Sequence, residues 1–416
     1  MKFVIEGRNS LYGEVKISSS KNAVLKMIAA SIMGEGTSTI IDTPQITDVE
    51  TLKNIIYDLG ADIKFKNKIL KINPSSLKSY QPKNSLVKKL RASIVLVGPL
   101  LTRFGKAIIS QPGGDTIGNR SIDTHIRAFE QLGVRITQDN GYYVLDAKDA
   151  KANIVILDEM SVTATENILM FAALLPGETN IRVAAAEPEI EDLANFLNKM
   201  GAKIKGAGTH FINIEGVKKL KGTTHKPIPD RIEAGTFIIA SALGGKEVEI
   251  KNIRLEHLDL FLKKLKAANV KFTKIKDGLL VKPSTIFNRI SIDTRPYPGF
   301  STDLQAPTAV LLTQAKGTSL IFESIFENRL NYANELAKMG ASVEILDPHR
   351  LLINGPTPLF GKKIKTLDIR AGATLVIASL IASGTSIIEN IELIDRGYEK
   401  IDQKLKKLHA KIEREQ

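Results

Sequence analysis

The sequence predicts two α/β domains built from six copies of one unit, with helices inside and sheets outside. Three observations carry that expectation. At 416 residues the chain exceeds the size to which a single hydrophobic core grows, so two domains are expected. A helix-ending signal recurs six times, as Leu59-Gly60-Ala61, Leu132-Gly133-Val134, Met200-Gly201-Ala202, Ala268-Asn269-Val270, Met339-Gly340-Ala341 and Leu408-His409-Ala410, at intervals of 73, 68, 68, 71 and 69 residues. A second signal keeps the same beat: Gly36, Gly105, Gly177, Gly245, Gly317 and Gly384 each close an apolar stretch and open a short strand-like one.

Each element of the unit follows from local pattern. Gly or Asn after a helix-like run marks the position where positive φ ends a helix, and His409 is the exception among the six. Segments such as "FIIASALGG" and "LVIASLIASG" are apolar on nearly every side, as helices buried all round require. The unit therefore reads as strands, a buried helix, a strand, a more amphipathic helix and a strand. The N-terminal strands look like the missing end of the sixth unit, because Gly7, Gly216 and Gly355 each stand fifteen residues before a helix-opening polar residue. That predicts a continuous domain over about 20–229 and a discontinuous one of 1–19 plus 230–416, with "PIPDR" as a linker.

The openings of the buried helices carry the chemistry. Fourteen positions before the six strand-opening glycines stand Asn22, Arg91, Thr163, Arg231, Asp303 and Arg370, with Lys21, Glu166, Asp230, Glu233 and Asp368 beside them. Helix capping explains Asp303 and Asp368, since acidic side chains are favoured at helix N-termini. It does not explain Arg91, Arg231 and Arg370, which place positive charge at the positive end of a helix dipole. Such arginines call for convergent anion binding or internal ion pairs.

Composition narrows the classes. Hydrophobic residues make up 43% and charged residues 25%, ordinary for a globular chain. No apolar run approaches the ~18 residues that span a bilayer, and "MKFVIEGRNS" lacks the features of a signal peptide, so a cytoplasmic protein without a membrane partner is expected. With no cysteine and six histidines that never form a metal-binding pair, neither disulfides nor a metal site are expected. The net charge of +13 fits a nucleic-acid surface, a pocket for anionic small molecules, or plain solubility. A six-unit DNA clamp would carry basic faces along its helices, whereas these helices are apolar with charges at their openings. The loop "QPGGDTIGNR" (111–120) sets Asp115 among glycines and reads as a turn or a small-molecule cradle.

The blocks "SSSKNAVL" (18–25), "RASIVLVGPLLTRFG" (91–105), "PGGDTIGNRSIDTHI" (112–126), "EPEIEDLANFL" (187–197), "PDRIEAGTF" (229–237), "STDLQA" (301–306), "FENR" (326–329), "DIRAGATLV" (368–376) and "DRGYE" (395–399) closely resemble the UDP-N-acetylglucosamine 1-carboxyvinyltransferases. The resemblance runs from about residue 3 to the C-terminus. It implies two inside-out α/β domains of three repeats each, with outer mixed sheets, and transfer of enolpyruvate from phosphoenolpyruvate to the 3-hydroxyl of UDP-N-acetylglucosamine, the first committed step of peptidoglycan synthesis. Phosphoenolpyruvate and UDP-N-acetylglucosamine are then the small-molecule partners; no cofactor, metal or nucleic acid is implied.

By the same resemblance Asp303 acts on the attacking hydroxyl as base or positioner. Lys21, Arg120 and Arg396 surround the phosphate of phosphoenolpyruvate, with Asn22 nearby and Arg329 and Arg370 at its carboxylate. Asn22, Arg91, Arg120, Ser121, Ile122, Asp123, Thr124, Ser161, Asp303 and Ile325 contact the UDP-sugar. The loop over about 111–121 is implied to be a lid carried by the continuous domain, with Asp48 engaging Arg396 on closure. Three positions depart from the family pattern: Asp115 where cysteine is usual, Thr47 where lysine is common, and Glu159-Met160 where a basic residue is common before Ser161. A free aspartate, with a reference pKa near ~3.9, must be protonated to serve as the acid that a cysteine supplies. Arg120 opposes that, while burial and substrate phosphates favour it. Fosfomycin, which alkylates the family's cysteine, is expected not to act here. The shikimate-pathway enolpyruvyl transferases share the six-unit plan, but their "SKS" and "GNAGT" signatures are absent. An RNA 3′-phosphate cyclase would need a nucleophilic histidine that has no place in the pattern.

Overall fold

The computed structural model describes residues 1–115, 117, 118 and 120–416; Thr116 and Asn119, inside the predicted lid loop, lie outside the described residues. The chain divides into two compact units. One comprises Met1–Ser18 and Pro229–Gln416 together with Asp115, Ile117 and Gly118; the other comprises Ser19–Gly114 and Arg120–Ile228. The 111–121 loop is thus divided between them, whereas the sequence reading gave all of it to the continuous domain. The reason is local bonding: Asn328 N donates to Ile117 O at 3.2 Å, and a Cβ at Gly118 would meet the Glu327 carboxylate at 2.5 Å.

In the Met1–Ser18 and Pro229–Gln416 unit, three helices, Arg231–Gly244, Thr302–Thr313 and Ile369–Ile381, pack on one another. Every residue from Ile369 to Leu380 is buried. Helices apolar all round have nowhere to face but a core. Four of their hydroxyls are satisfied within the helix: Thr236, Ser241, Thr308 and Thr374 each donate to the carbonyl four residues back at 2.7–2.8 Å. Three sheets enclose them. Lys2–Glu6 lies antiparallel to both Thr385–Glu389 and Lys411–Glu415, and Lys363–Lys365 runs parallel at the edge. The other two sheets are likewise mixed, built around Gly245–Lys251 and Ala315–Phe322.

The Ser19–Gly114 and Arg120–Ile228 unit repeats the plan. Its buried helices are Lys21–Ala30, Val162–Ala172 and the composite of Arg91–Leu96 with Val97–Phe104. Its sheets are centred on Ser38–Ile40 with Ile69–Asn73, on Tyr142–Asp146, and on Glu178–Arg182 with Phe211–Glu215.

Two recurrent positions explain the spacing found in the sequence. All six helix-ending residues are left-handed, Gly60, Gly133, Gly201, Asn269 and Gly340 joined by His409 with φ 66°, so the geometry outlasts the glycine. Gly7, Gly216 and Gly355 sit on carbonyls at the end of a buried helix; a Cβ there would meet Ala382 O at 2.0 Å, Leu175 O at 1.7 Å and Ala315 O at 2.4 Å. No side chain fits those crossings.

The composite helix departs from the regular pattern. Arg91–Leu96 is a 3₁₀ segment, because Pro99 has no N–H to donate and the neighbouring groups bond elsewhere. Gly98 N donates to Asn167 Oδ1 at 2.9 Å and Asn167 Nδ2 donates to Ile94 O at 2.9 Å, so one buried amide splices the break. Asn167→Ala should leave both backbone groups unmet and lower the unfolding free energy by about 2–4 kcal/mol, read as a shifted urea midpoint at unchanged slope.

Candidate active site

The first cluster lies at the N-terminus of Thr302–Thr313. Ser301 caps that helix, accepting from Asp303 N at 3.3 Å, so Asp303 is not the cap the sequence reading allowed it to be. Its carboxylate is held elsewhere: Oδ1 accepts from Arg329 Nη2, and Oδ2 accepts from Arg370 Nε at 3.1 Å. The two arginine side chains are 6% and 5% exposed and Asp303 is 23% exposed, which makes the carboxylate the accessible member of a buried trio. Burial acts first on both guanidiniums and opposes their charge, yet the surrounding acidic groups, Asp303 foremost, together outweigh it and both are held above their ordinary range. Arg329 Nε is buried with no hydrogen-bond partner among the described residues. Arg370 also lies over the Tyr398 ring, 5.2 Å from its centroid.

Asp368 does cap its helix, accepting from Arg370 N at 2.8 Å and Ala371 N at 3.0 Å. Burial raises its pKa, against the pull of Arg329, and the charge of Asp115 adds to the rise. Asp115 itself forms an ion pair with Arg396, both side chains being mostly buried. The sequence reading set Asp115 against Arg120; in this unit its partner is Arg396. Ile325, on the loop after Ala315–Phe322, donates its N–H to Glu323 Oε1 at 3.0 Å.

The second cluster belongs to the other unit. Ser20 caps Lys21–Ala30, and Lys21 Nζ lies 3.2 Å from Asp48 Oδ2 in the first turn of Thr47–Asp58. The Asn22 carbonyl accepts from Lys26 Nζ at 3.1 Å. Arg91 Nη2 donates to Ser121 O at 2.9 Å, tying the opening of the composite helix to the "RSIDT" stretch. Burial, with the nearby charge of Arg120 second, lowers the Arg91 pKa to about 10. Asp123 N donates to Ser121 Oγ at 3.0 Å, Ile122 precedes the Asp123–Glu130 helix, and Ser161 caps Val162–Ala172. Thr124 Oγ1 donates to Glu159 Oε1 at 3.1 Å, so the acid that departs from the family pattern has a local use.

A model of the EPSP synthase (3-phosphoshikimate 1-carboxyvinyltransferase) family matches residues 5–405. The chain is 48% identical over 413 residues to UDP-N-acetylglucosamine 1-carboxyvinyltransferase 1 of Caldanaerobacter subterraneus subsp. tengcongensis, covering 99% of both chains. It is 44% identical over 411 residues to UDP-N-acetylglucosamine 1-carboxyvinyltransferase of Halothermothrix orenii, again covering 99% of both. The chain belongs to the UDP-N-acetylglucosamine 1-carboxyvinyltransferase family. Among solved structures, the enolpyruvyl transferase NikO from Streptomyces tendae superposes with a TM-score of 0.90 at 24% identity, covering 99% of this chain and 98% of that one, which shows the shared fold.

Within the family motifs, the structure adds contacts for residues to which the sequence assigns no site role. Asp368 reads from sequence as a cap alone, and its neighbour Arg329 is 39 positions away, too far for local pattern to connect them. Thr302 accepts from Arg329 Nη1 at 3.1 Å. His125 is buried between Thr163 Oγ1 and Asn167 Nδ2, each at 3.0 Å. Because Asn167 Nδ2 donates to Nδ1, the ring carries its proton on Nε2 and donates to Thr163.

Burial first, then the Arg91 charge, lowers the His125 pKa to about 3. An unfolded histidine titrates near 6.5, so the stabilising contribution is fully present above ~6.5 and is lost as pH falls towards 3, on the order of 2 kcal/mol between pH 7 and 5. Glu166 in the same unit runs the other way: burial pushes it up to about 7 against Lys26 at 3.3 Å, so its contribution is present below ~4.5 and lost as pH rises through 7. The two oppose each other across the same window. The expected signature is therefore a difference: His125→Gln, which cannot titrate, should gain about 2 kcal/mol relative to wild type on going from pH 7 to 5 in parallel urea titrations.

Proposed function

We propose that the chain transfers the enolpyruvyl group of phosphoenolpyruvate to the 3-hydroxyl of UDP-N-acetylglucosamine with release of phosphate, serving peptidoglycan synthesis in the cytoplasm. The observation that carries this reading is Asp303, a partly exposed carboxylate pinned between two buried arginines, in a chain whose relatives bear that activity in their names. The reaction adds the sugar oxygen to C2 of phosphoenolpyruvate while C3 gains a proton; C3 then loses a proton as the C2–O bond to phosphate breaks. That chemistry needs an acceptor for the hydroxyl proton, a donor at C3, and cations for two anionic groups that stay charged throughout.

The residues supply each part. Asp303 Oδ1 accepts from Arg329 and Oδ2 faces Arg370 Nε and Nη2 at 3.1 and 3.0 Å, and this carboxylate, 23% exposed, is the group that meets the sugar hydroxyl. Arg329, with its buried Nε donor, and Arg370 suit the carboxylate of phosphoenolpyruvate. Lys21, Arg120 and Arg396 take its phosphate beside Asn22. Arg91, Arg120 to Thr124, Ser161 and Ile325 hold the UDP-sugar. Asp115 donates the proton at C3 once the substrate phosphate has drawn Arg396 from its ion pair and the carboxylate has taken up a proton from solvent. Asp48, which pairs with Lys21 at 3.2 Å, engages Arg396 on closure. The shikimate-pathway alternative is not favoured by the names of the relatives, and neither is a DNA clamp.

Asp303→Asn keeps the volume but not the charge, and should lower kcat by about 10²–10⁴-fold with the enolpyruvyl ether of UDP-N-acetylglucosamine followed by NMR. Wild-type kcat in that variant would remove Asp303 from the chemistry. Fosfomycin should add no mass to the unmodified protein, and Asp115→Cys should acquire one covalent adduct. Asp115→Asn turning over at the wild-type rate would remove Asp115 as the acid.

A further inference from the structure

The helix opening that bears Asp303 is braced from below by a carboxylate that no sequence motif singled out. Glu323 directly follows the Ala315–Phe322 strand and is 0% exposed. Its Oε1 accepts three hydrogen bonds, from Thr294 Oγ1 at 3.1 Å, Ile325 N at 3.0 Å and Phe326 N at 3.2 Å. Its Oε2 accepts from Thr302 Oγ1 at 2.6 Å. The Thr302 hydroxyl has one hydrogen, and Glu323 takes it. The lone pairs of Thr302 Oγ1 are thereby turned to Arg329, whose Nη1 donates at 3.1 Å while its Nη2 donates to Asp303.

We propose that Glu323 is a positioning residue for the transfer reaction: by orienting the Thr302 hydroxyl it fixes the Arg329 guanidinium, and through it the Asp303 carboxylate, while its other oxygen fixes the backbone of Ile325. A neutral isostere would not serve. Three donors on one side require an oxygen there, so an amide at 323 must present its NH₂ to Thr302. Thr302 Oγ1 would then receive two donors and its own hydrogen would have no acceptor. The fold keeps three of the four contacts of residue 323, but its hydrogen bond with Thr302, which turns the Thr302 lone pairs to Arg329, is reversed. Charge contributes as well, since Glu323 is among the carboxylates that sustain the Arg329 cation. The effect on substrate rests on the reading of Arg329 as a ligand of the phosphoenolpyruvate carboxylate.

The test compares Glu323→Gln, Thr302→Val and the double variant, with two readouts on the full chain. The first is hydrogen exchange of the Arg329 guanidinium by ¹⁵N NMR without substrate, which probes positioning directly. The relay predicts exchange at least about tenfold faster in both single variants; unchanged exchange in either folded variant overturns it. The second is steady-state kinetics. The relay predicts KM for phosphoenolpyruvate raised about tenfold in each single variant and no further in the double, because one chain of contacts is cut twice. Additive effects, or KM within twofold of wild type, overturn the relay as a determinant of binding. If Glu323→Gln does not fold, Thr302→Val carries both readouts by itself. Faster exchange in both variants, with KM unmoved in them and in Arg329→Ala, would uphold the relay and refute instead the assignment of Arg329 to the substrate carboxylate.

Discussion

Burying positive charge is the constraint on which this structure turns. Arg329 and Arg370 sit almost wholly out of water, and a guanidinium there is tolerable only with a carboxylate against it. Asp303 is that carboxylate, shared between them through one oxygen each. The sharing fixes the Asp303 carboxylate while leaving it 23% exposed. Such an arrangement suits a reaction in which charge stays on two substrate groups while protons move at the sugar hydroxyl and at C3, because these two cations are in place before the substrate arrives.

The inside-out plan explains why charge gathers at these points. A helix buried all round can carry hydroxyls that return to its own carbonyls, but a charged side chain along its length must find a buried partner, as Lys26 does in Glu166 at 3.3 Å. Unpaired backbone N–H groups gather in the first turn, where polar side chains can meet them. Ser20, Ser161, Asp230, Ser301 and Asp368 cap five of the six buried helices, and Lys21, Asn22, Asp303 and Arg370 follow one or two positions after their caps. One rule thus places cores and candidate residues together in five helices, and the Arg91 opening, preceded by Leu90, is the exception.

What the sequence revealed follows the range of the interactions. Periodic features were legible because each is set by its own neighbours: the left-handed helix ends, the buried apolar helices and the strand-end glycines all recur at the spacing read from the chain. Even His409, the exception by residue type, keeps the left-handed conformation. Features fixed by distant residues were not. The role of Asp303 depends on arginines 26 and 67 positions away, so capping and ion pairing could not be told apart locally. The 3₁₀ turn at Arg91 depends on Asn167, 73 positions from Ile94. The partner of Asp115 is 281 positions away, and the nearer Arg120 drew the reading instead. Glu323 carries no motif of its own, although "FESIFENR" places it just before the loop that resembles the family pattern.

In the proposed reaction these clusters act on two substrates in one addition and elimination. The decisive measurement is phosphate released from phosphoenolpyruvate with and without UDP-N-acetylglucosamine. Release is expected only when both are present, in equal amount to the enolpyruvyl ether formed. Release without the sugar nucleotide, or none with it, would rule that reaction out.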